Sequence, residues 1–147
     1  MGVAVACGCT VTYPVVGQFD AYNEVVLGEV NSNLMTGTAF IRARTEHSGI
    51  ECTGSSRVVH IPASNYFIPG YCRGQIGEAE LRCSDGRQIS TTFEALSCKR
   101  GFGKGYDENG AGFSFTFGMK RQEALAYIAK AKVSAYRSPH LYVFSIA

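Results

Sequence analysis

Tryptophan is absent from this 147-residue chain, histidine occurs three times, proline four times, and only 18% of the residues are charged. Each scarcity narrows what the chain can be. His47, His60 and His140 lie far apart and share no motif, so a metal triad has no spacing to support it. No Cys-x-x-Cys pair occurs, which argues against a zinc ribbon or a thioredoxin-like redox site. A Gly-x-Ser-x-Gly nucleophile elbow is also missing. No apolar run approaches the ~20 residues of a membrane-spanning helix. Net charge is only +2, too mild to argue for nucleic acid.

Two stretches imitate ligand sites without completing them. Gly101, Gly103 and Gly105 lack the spacing of a phosphate loop and its Lys-Ser/Thr ending. Glycines at alternate strand positions more simply clear one face for an aromatic ring or a close neighbouring strand. Asp107-Glu108-Asn109 lacks the further ligands and closing Glu of a calcium loop, and reads as a hairpin turn. Arginines such as Arg42, Arg44, Arg57 and Arg82 interleave with Glu46, Glu51, Glu78 and Glu80, the pattern of a solvated face. No catalytic residue, metal ligand or cofactor is expected.

What is present points to β-structure. Nine Phe and eight Tyr supply the aromatic content, and both types favour strands. Strand patterns recur about every ten residues, bounded by Gly, Asn, Asp and Pro. In 38–44, Ala39, Ile41 and Ala43 share one face and Arg42 and Arg44 the other. The run 50–61 contains Gly54, read as a bulge or bend. In 77–83, Ala79, Leu81 and Cys83 alternate with Glu78, Glu80 and Arg82. Asp85-Gly86 suits a type I′ hairpin turn into the strand 88–95. Phe113, Phe115 and Phe117 form a one-sided stripe.

After Gly118 the period changes. Ala124, Tyr127, Ile128 and Ala131 fall at helical spacing, which predicts an amphipathic helix over 119–133. The expected fold is mainly β: a small antiparallel β-barrel or sandwich of about seven or eight strands with one C-terminal helix. Residues 21–118 form the β-domain and 119–147 the helix and tail. Leu141, Tyr142, Val143 and Phe144 in that tail are candidate partner-binding residues. A second reading makes the domain a ligand-binding barrel whose loop 66–71 lines a pocket. A small hydrolase is a third.

Six cysteines divide into Cys7 and Cys9 near the start and Cys52, Cys72, Cys83 and Cys98 in the body. The latter four read as two disulfides and hence an oxidising compartment. Three pairings are open. Cys52–Cys72 with Cys83–Cys98 is favoured here, because each would staple one local excursion.

Ala4-Val5-Ala6-Cys7 resembles the lipobox of bacterial lipoproteins, with Cys7 as lipid anchor and Cys9 as the alternative. Ala6 stands where N-myristoylation expects Ser or Thr. A full leader needs a basic start and roughly 7–15 apolar residues, so 1–20 is read as a leader remnant and linker. "CTGSS" at 52–56, "GEAELRCSDGR" at 77–87, "GFGKGYDENG" at 101–110 and "FSFTFG" at 113–118 resemble a small β-rich domain of bacterial envelope lipoproteins. Similar signatures also occur beside trypsin-like peptidase domains. The resemblance implies a non-catalytic structural or interaction module on the periplasmic side of the envelope, lipid-anchored to a membrane and bound to an envelope protein partner. The intact mass of protein from its native host is expected to show a diacylglycerol increment on Cys7 or Cys9; an unmodified N-terminus would remove the anchor.

Overall fold

The computed structural model describes residues 10–21, 23–33, 35–68 and 71–137. Eight antiparallel strands follow one another around a closed barrel: β1 (Thr10–Phe19), β2 (Val25–Asn33), β3 (Thr38–Thr45), β4 (Glu51–His60), β5 (Ile76–Cys83), β6 (Gln88–Ala95), β7 (Gly101–Asp107) and β8 (Gly112–Phe117). A single-turn helix, α1 (Ser64–Phe67), lies between β4 and β5, and a long helix, α2 (Arg121–Arg137), follows β8. Of the two expected architectures, barrel or sandwich, the chain forms the barrel, with eight strands and the expected C-terminal helix. Each strand pairs with its neighbour in sequence, so the alternation within each run decides which residues enter the barrel.

Thr10–Phe19, assigned above to the leader remnant and linker, is the strand that closes the barrel. Its second half pairs with β8, Val15 opposite Phe117 and Phe19 opposite Phe113. Nearly its whole length pairs with β2. Pro14 interrupts what otherwise reads as a strand, yet it costs no ladder bond. Its carbonyl accepts the Gly118 N–H at 2.9 Å, so its nitrogen faces the side on which β8 has already ended. A proline is tolerated at such a half-edge position.

The interior is built by the alternating faces. Val15, Phe19, Val26, Val30, Ile41 and Leu81 are buried there with Phe113 and Phe115. Gly101 and Gly103 also point inward, and a Cβ on either would collide with the rings of Phe117 and Phe115. The alternate glycines therefore seat the phenylalanine stripe, as their spacing suggested. Gly54 is not a bulge. It keeps register between Ile41 and Leu81, and a Cβ there would strike the Glu80 carbonyl. The irregular pairing falls between Val58 and His60.

The β5–β6 turn differs from the type I′ geometry expected above. Gly86 has φ 94°, but Asp85 does not join it at positive φ. Type I′ needs two such residues. Cys83 instead donates its N–H to the Arg87 carbonyl at 2.9 Å, and Gly86 donates to the Cys83 carbonyl. One glycine suffices to close this turn.

Helix α2 covers the outside of the barrel where β8 meets β1. Ala124 and Ile128 are fully buried, and Ala124 packs with Met119, Val16 and Val25. The helix starts two residues later than predicted and extends to Arg137. Lys120 thus lies before it, while Glu123 occupies the first turn, where a carboxylate suits the macrodipole. Glu123 pairs with Arg100, and Lys132 with Asp20 at 3.1 Å.

All four body cysteines are in disulfides, but the favoured pairing is wrong. The bonds are Cys52–Cys83 and Cys72–Cys98. Cys52 and Cys83 sit directly opposite on β4 and β5, Cα atoms 3.9 Å apart. Cys72 and Cys98 both lie in connections at the other end of the barrel. The rejected pairs each span the length of a strand. Cys83 precedes β6 and Cys98 follows it, a separation on the order of 25 Å for an eight-residue strand. Proximity in sequence is misleading in a meander, because consecutive connections lie at opposite ends. Peptide mapping without reduction should recover these two bonds. The double substitution Cys52→Ala, Cys83→Ala is expected to cost roughly 3–4 kcal/mol in chemical denaturation.

Candidate functional site: the barrel interior

An eight-stranded barrel is just wide enough to be filled by side chains or to hold one small ligand. The outcome depends on inward-facing residue size. Here β3 to β7 contribute many small ones: Ala39 and Ala43, Ser56, Ala79, Thr91 and Gly103. The strands β1, β2 and β8 contribute Val and Phe. A cavity of about 650 Å³ remains, well within the range of small-molecule sites.

The cavity has a closed and an open end. At the closed end Phe19, Ile89 and Phe113 pack with the Cys52–Cys83 bridge. Phe19 and Phe113 rings lie 4.9 Å apart, and the Arg87 guanidinium stacks on Phe19 at 4.6 Å. The middle is walled by Val30, Ile41, Leu81, Phe93, Phe115 and Phe117. Phe93 meets Phe117 edge-on at 5.8 Å, an arrangement that presents ring edges and faces to whatever lies between. Thr91 donates its hydroxyl to the Ala79 carbonyl at 3.2 Å, so this buried polar group is satisfied within the wall.

The mouth is more polar. Ser32, Asn33, Gln75, Ser97 and Lys99 line it together with the Cys72–Cys98 bridge. That bridge ties the β4–β5 connection to the β6–β7 connection on the rim, just beyond the end of the β5–β6 pairing. Tyr13 donates its hydroxyl to the Cys98 carbonyl at 3.3 Å, bracing the same turn from β1.

The structure sorts the sequence candidates. Cys72 and Cys98 come together at the mouth; Cys52 and Cys83 belong to the plug below. Of the loop 66–71 proposed to line a pocket, Tyr66 and Phe67 project into solvent instead, while Cys72 and Gln75 from the same connection reach the cavity. Cys7, Cys9, Leu141, Tyr142, Val143 and Phe144 lie outside the described residues. His47 and His60 stand at opposite ends of the barrel, in the β3–β4 turn and at the end of β4. Asp107 is committed to its own turn. Its carboxylate accepts the N–H groups of Asn109 at 2.9 Å and Ala111 at 2.8 Å. Charges of both signs alternate on the outer face, as in the exposed Arg57–Glu78 pair at 3.6 Å. A pocket belongs to the ligand-binding reading of the sequence, but the residues that line it are mostly strand residues and not the loop 66–71. The signal for that lining was there: small residues recur at the inward positions of five consecutive strands.

At the closed end, Glu24 clamps the neighbouring turn. Its carboxylate accepts the Ser48 hydroxyl at 2.6 Å and the Ser48 N–H at 3.0 Å. These bonds, the hydroxyl first, hold the carboxyl below its ordinary value of 4.5. Burial raises the Asp85 carboxyl, but the Arg87 N–H and guanidinium outweigh it and hold that group low as well.

No protein-family model matches the chain, and no curated protein sequence does either. Among solved structures it is similar to a redesigned β-barrel, mFAP1, bound to DFHBI: TM-score 0.54, 13% identity, covering 72% of this chain and 90% of that one. It is also similar to a de novo designed fluorescence-activating β-barrel: TM-score 0.50, 19% identity, covering 72% of this chain and 88% of that one. At these identities the likeness shows the barrel fold alone.

A depressed folded-state pKa stabilises the protein above the unfolded value, and that stability is lost as pH falls through the folded value. Glu24→Gln should therefore lower stability by about 0.5 kcal/mol at neutral pH. The gap between wild type and variant should close as pH drops below the ordinary carboxylate range, read by thermal melts across pH.

Proposed function

We propose that this domain is a ligand-binding β-barrel that takes one mainly apolar molecule into its interior, polar end at the mouth. The observation that carries this is the single-ended cavity: deep walls of Val, Leu and Phe, and hydrogen-bonding groups gathered at the opening around Gln75, Asn33 and Lys99. Apolar burial supplies the affinity of such a site, and a few polar groups set the orientation. Lys99 favours a carboxylate, phosphate or phenolate at that end. The two similar barrels support the reading, since one is bound to DFHBI and the other is described as fluorescence-activating. The two disulfides support an oxidising compartment, in agreement with an envelope protein. β1 starts at Thr10 beside the mouth, so an acyl chain on Cys7 would hold the barrel near a membrane.

Native mass spectrometry of protein from its host should reveal a co-purifying small molecule released by organic solvent. Ala39→Phe fills the open part of the cavity and should reduce binding of that molecule by at least about ten-fold while leaving the barrel folded. Val30→Ala enlarges the cavity and should shift preference toward bulkier ligands. Unchanged affinity in both variants would place the ligand elsewhere.

A further inference from the structure

The two ends of the barrel differ in charge and polarity. The three connections around the mouth, 34–37, 61–75 and 96–100, contain Arg73, Lys99 and Arg100 and no Asp or Glu. The four connections at the closed end contain Asp20, Glu24, Glu46, Asp85 and Glu108 against Arg87. Ion pairs soften the contrast without reversing it. Arg100 meets Glu123, while Asp20 and Glu46 meet Lys132 and Arg121. The mouth end is therefore basic and the far end acidic.

The mouth end is also apolar. Phe67 is 84% exposed, Met35 80% and Tyr66 74%, with Ile61, Ile68 and Tyr71 also exposed in the same connections. Helix α1 carries Tyr66 and Phe67 yet buries none of its residues. Two adjacent aromatics on a turn that contributes nothing to the core have no role in holding the fold together. Exposed apolar groups collected at one end mark an interaction surface.

We propose that the mouth end docks onto an anionic lipid bilayer, with Tyr66, Phe67 and Met35 in the interface and Arg73 and Lys99 against the headgroups. Aromatic and aliphatic tips partition into the boundary between headgroups and acyl chains, and lysine and arginine are drawn to anionic lipid. No carboxylate in the mouth connections opposes this approach, and the acidic end points away. A bilayer asks only that apolar and basic groups share one plane. The meander meets that demand, because the three connections all end at the same rim. Docking this way would open the cavity toward the membrane, but it does not depend on the cavity holding a ligand.

The test uses the full chain, oxidised and without an acyl group, in cosedimentation with vesicles. Binding is expected to phosphatidylcholine vesicles containing phosphatidylglycerol, weakening with salt, and much less to phosphatidylcholine alone. Tyr66→Ser with Phe67→Ser should lower partitioning at least about ten-fold. Arg73→Gln and Lys99→Gln should each cost about five-fold. Glu108→Gln, at the closed end, should leave binding unchanged. Thermal melts confirm that each variant is folded. Failure of the wild type to bind, equal binding to neutral vesicles, or undiminished binding by the folded Tyr66/Phe67 variant would overturn the proposal. So would lipid-free self-association removed by that variant, which would assign the patch to a second copy of this chain.

Discussion

The pairing of β1 with β8 is the contact on which the rest of this structure depends. Without it, the other strands form an open sheet with two edges and no enclosed interior. With it, every strand has two neighbours and no edge is left to pair with another chain. Closure also turns the inward faces into a shared volume, so the sizes of a few side chains become a property of the whole domain.

That volume is divided by the order of strands. Valines and phenylalanines cluster on β8, β1 and β2, and alanines, glycines and hydroxyl residues on β3 to β7. The aromatic stripe leans onto the glycines of β7, which fills that side and leaves the opposite side open. Below, the tilted Phe19–Phe113 pair, Arg87 and the Cys52–Cys83 bridge close one end. Above, the Cys72–Cys98 bridge lies on the rim, beside the end of the β5–β6 pairing. One disulfide thus joins β4 to β5 at the floor, and the other joins two neighbouring connections at the mouth.

A meander also sorts its connections by parity. Odd-numbered hairpins close one end and even-numbered ones the other, so residues distant in sequence gather on a common rim. The basic and apolar character of the mouth arises from three separate connections. The acidic character of the floor arises from four. Neither is visible as a run along the chain, and both give the barrel an axis with two chemically different ends.

Several features were legible in the chain itself. The period-two alternation around Leu81 and Ile89 identifies strands, because a half-buried strand needs it whatever its neighbours are. Likewise, Ala124, Tyr127 and Ile128 identify the helix, and the glycines before Phe102 and Lys104 announce rings packed against them. Tertiary structure decided the rest. The pairing of Cys52 with Cys83 follows from strand register, which no spacing reveals. The role of Thr10–Phe19 follows from its two partners, since an apolar N-terminal stretch reads equally as strand or leader. The cavity follows from the sum of inward volumes across eight strands. Local pattern is set by what each residue needs from its immediate surroundings; pairing, enclosure and polarity of the ends belong to contacts between segments the chain keeps far apart.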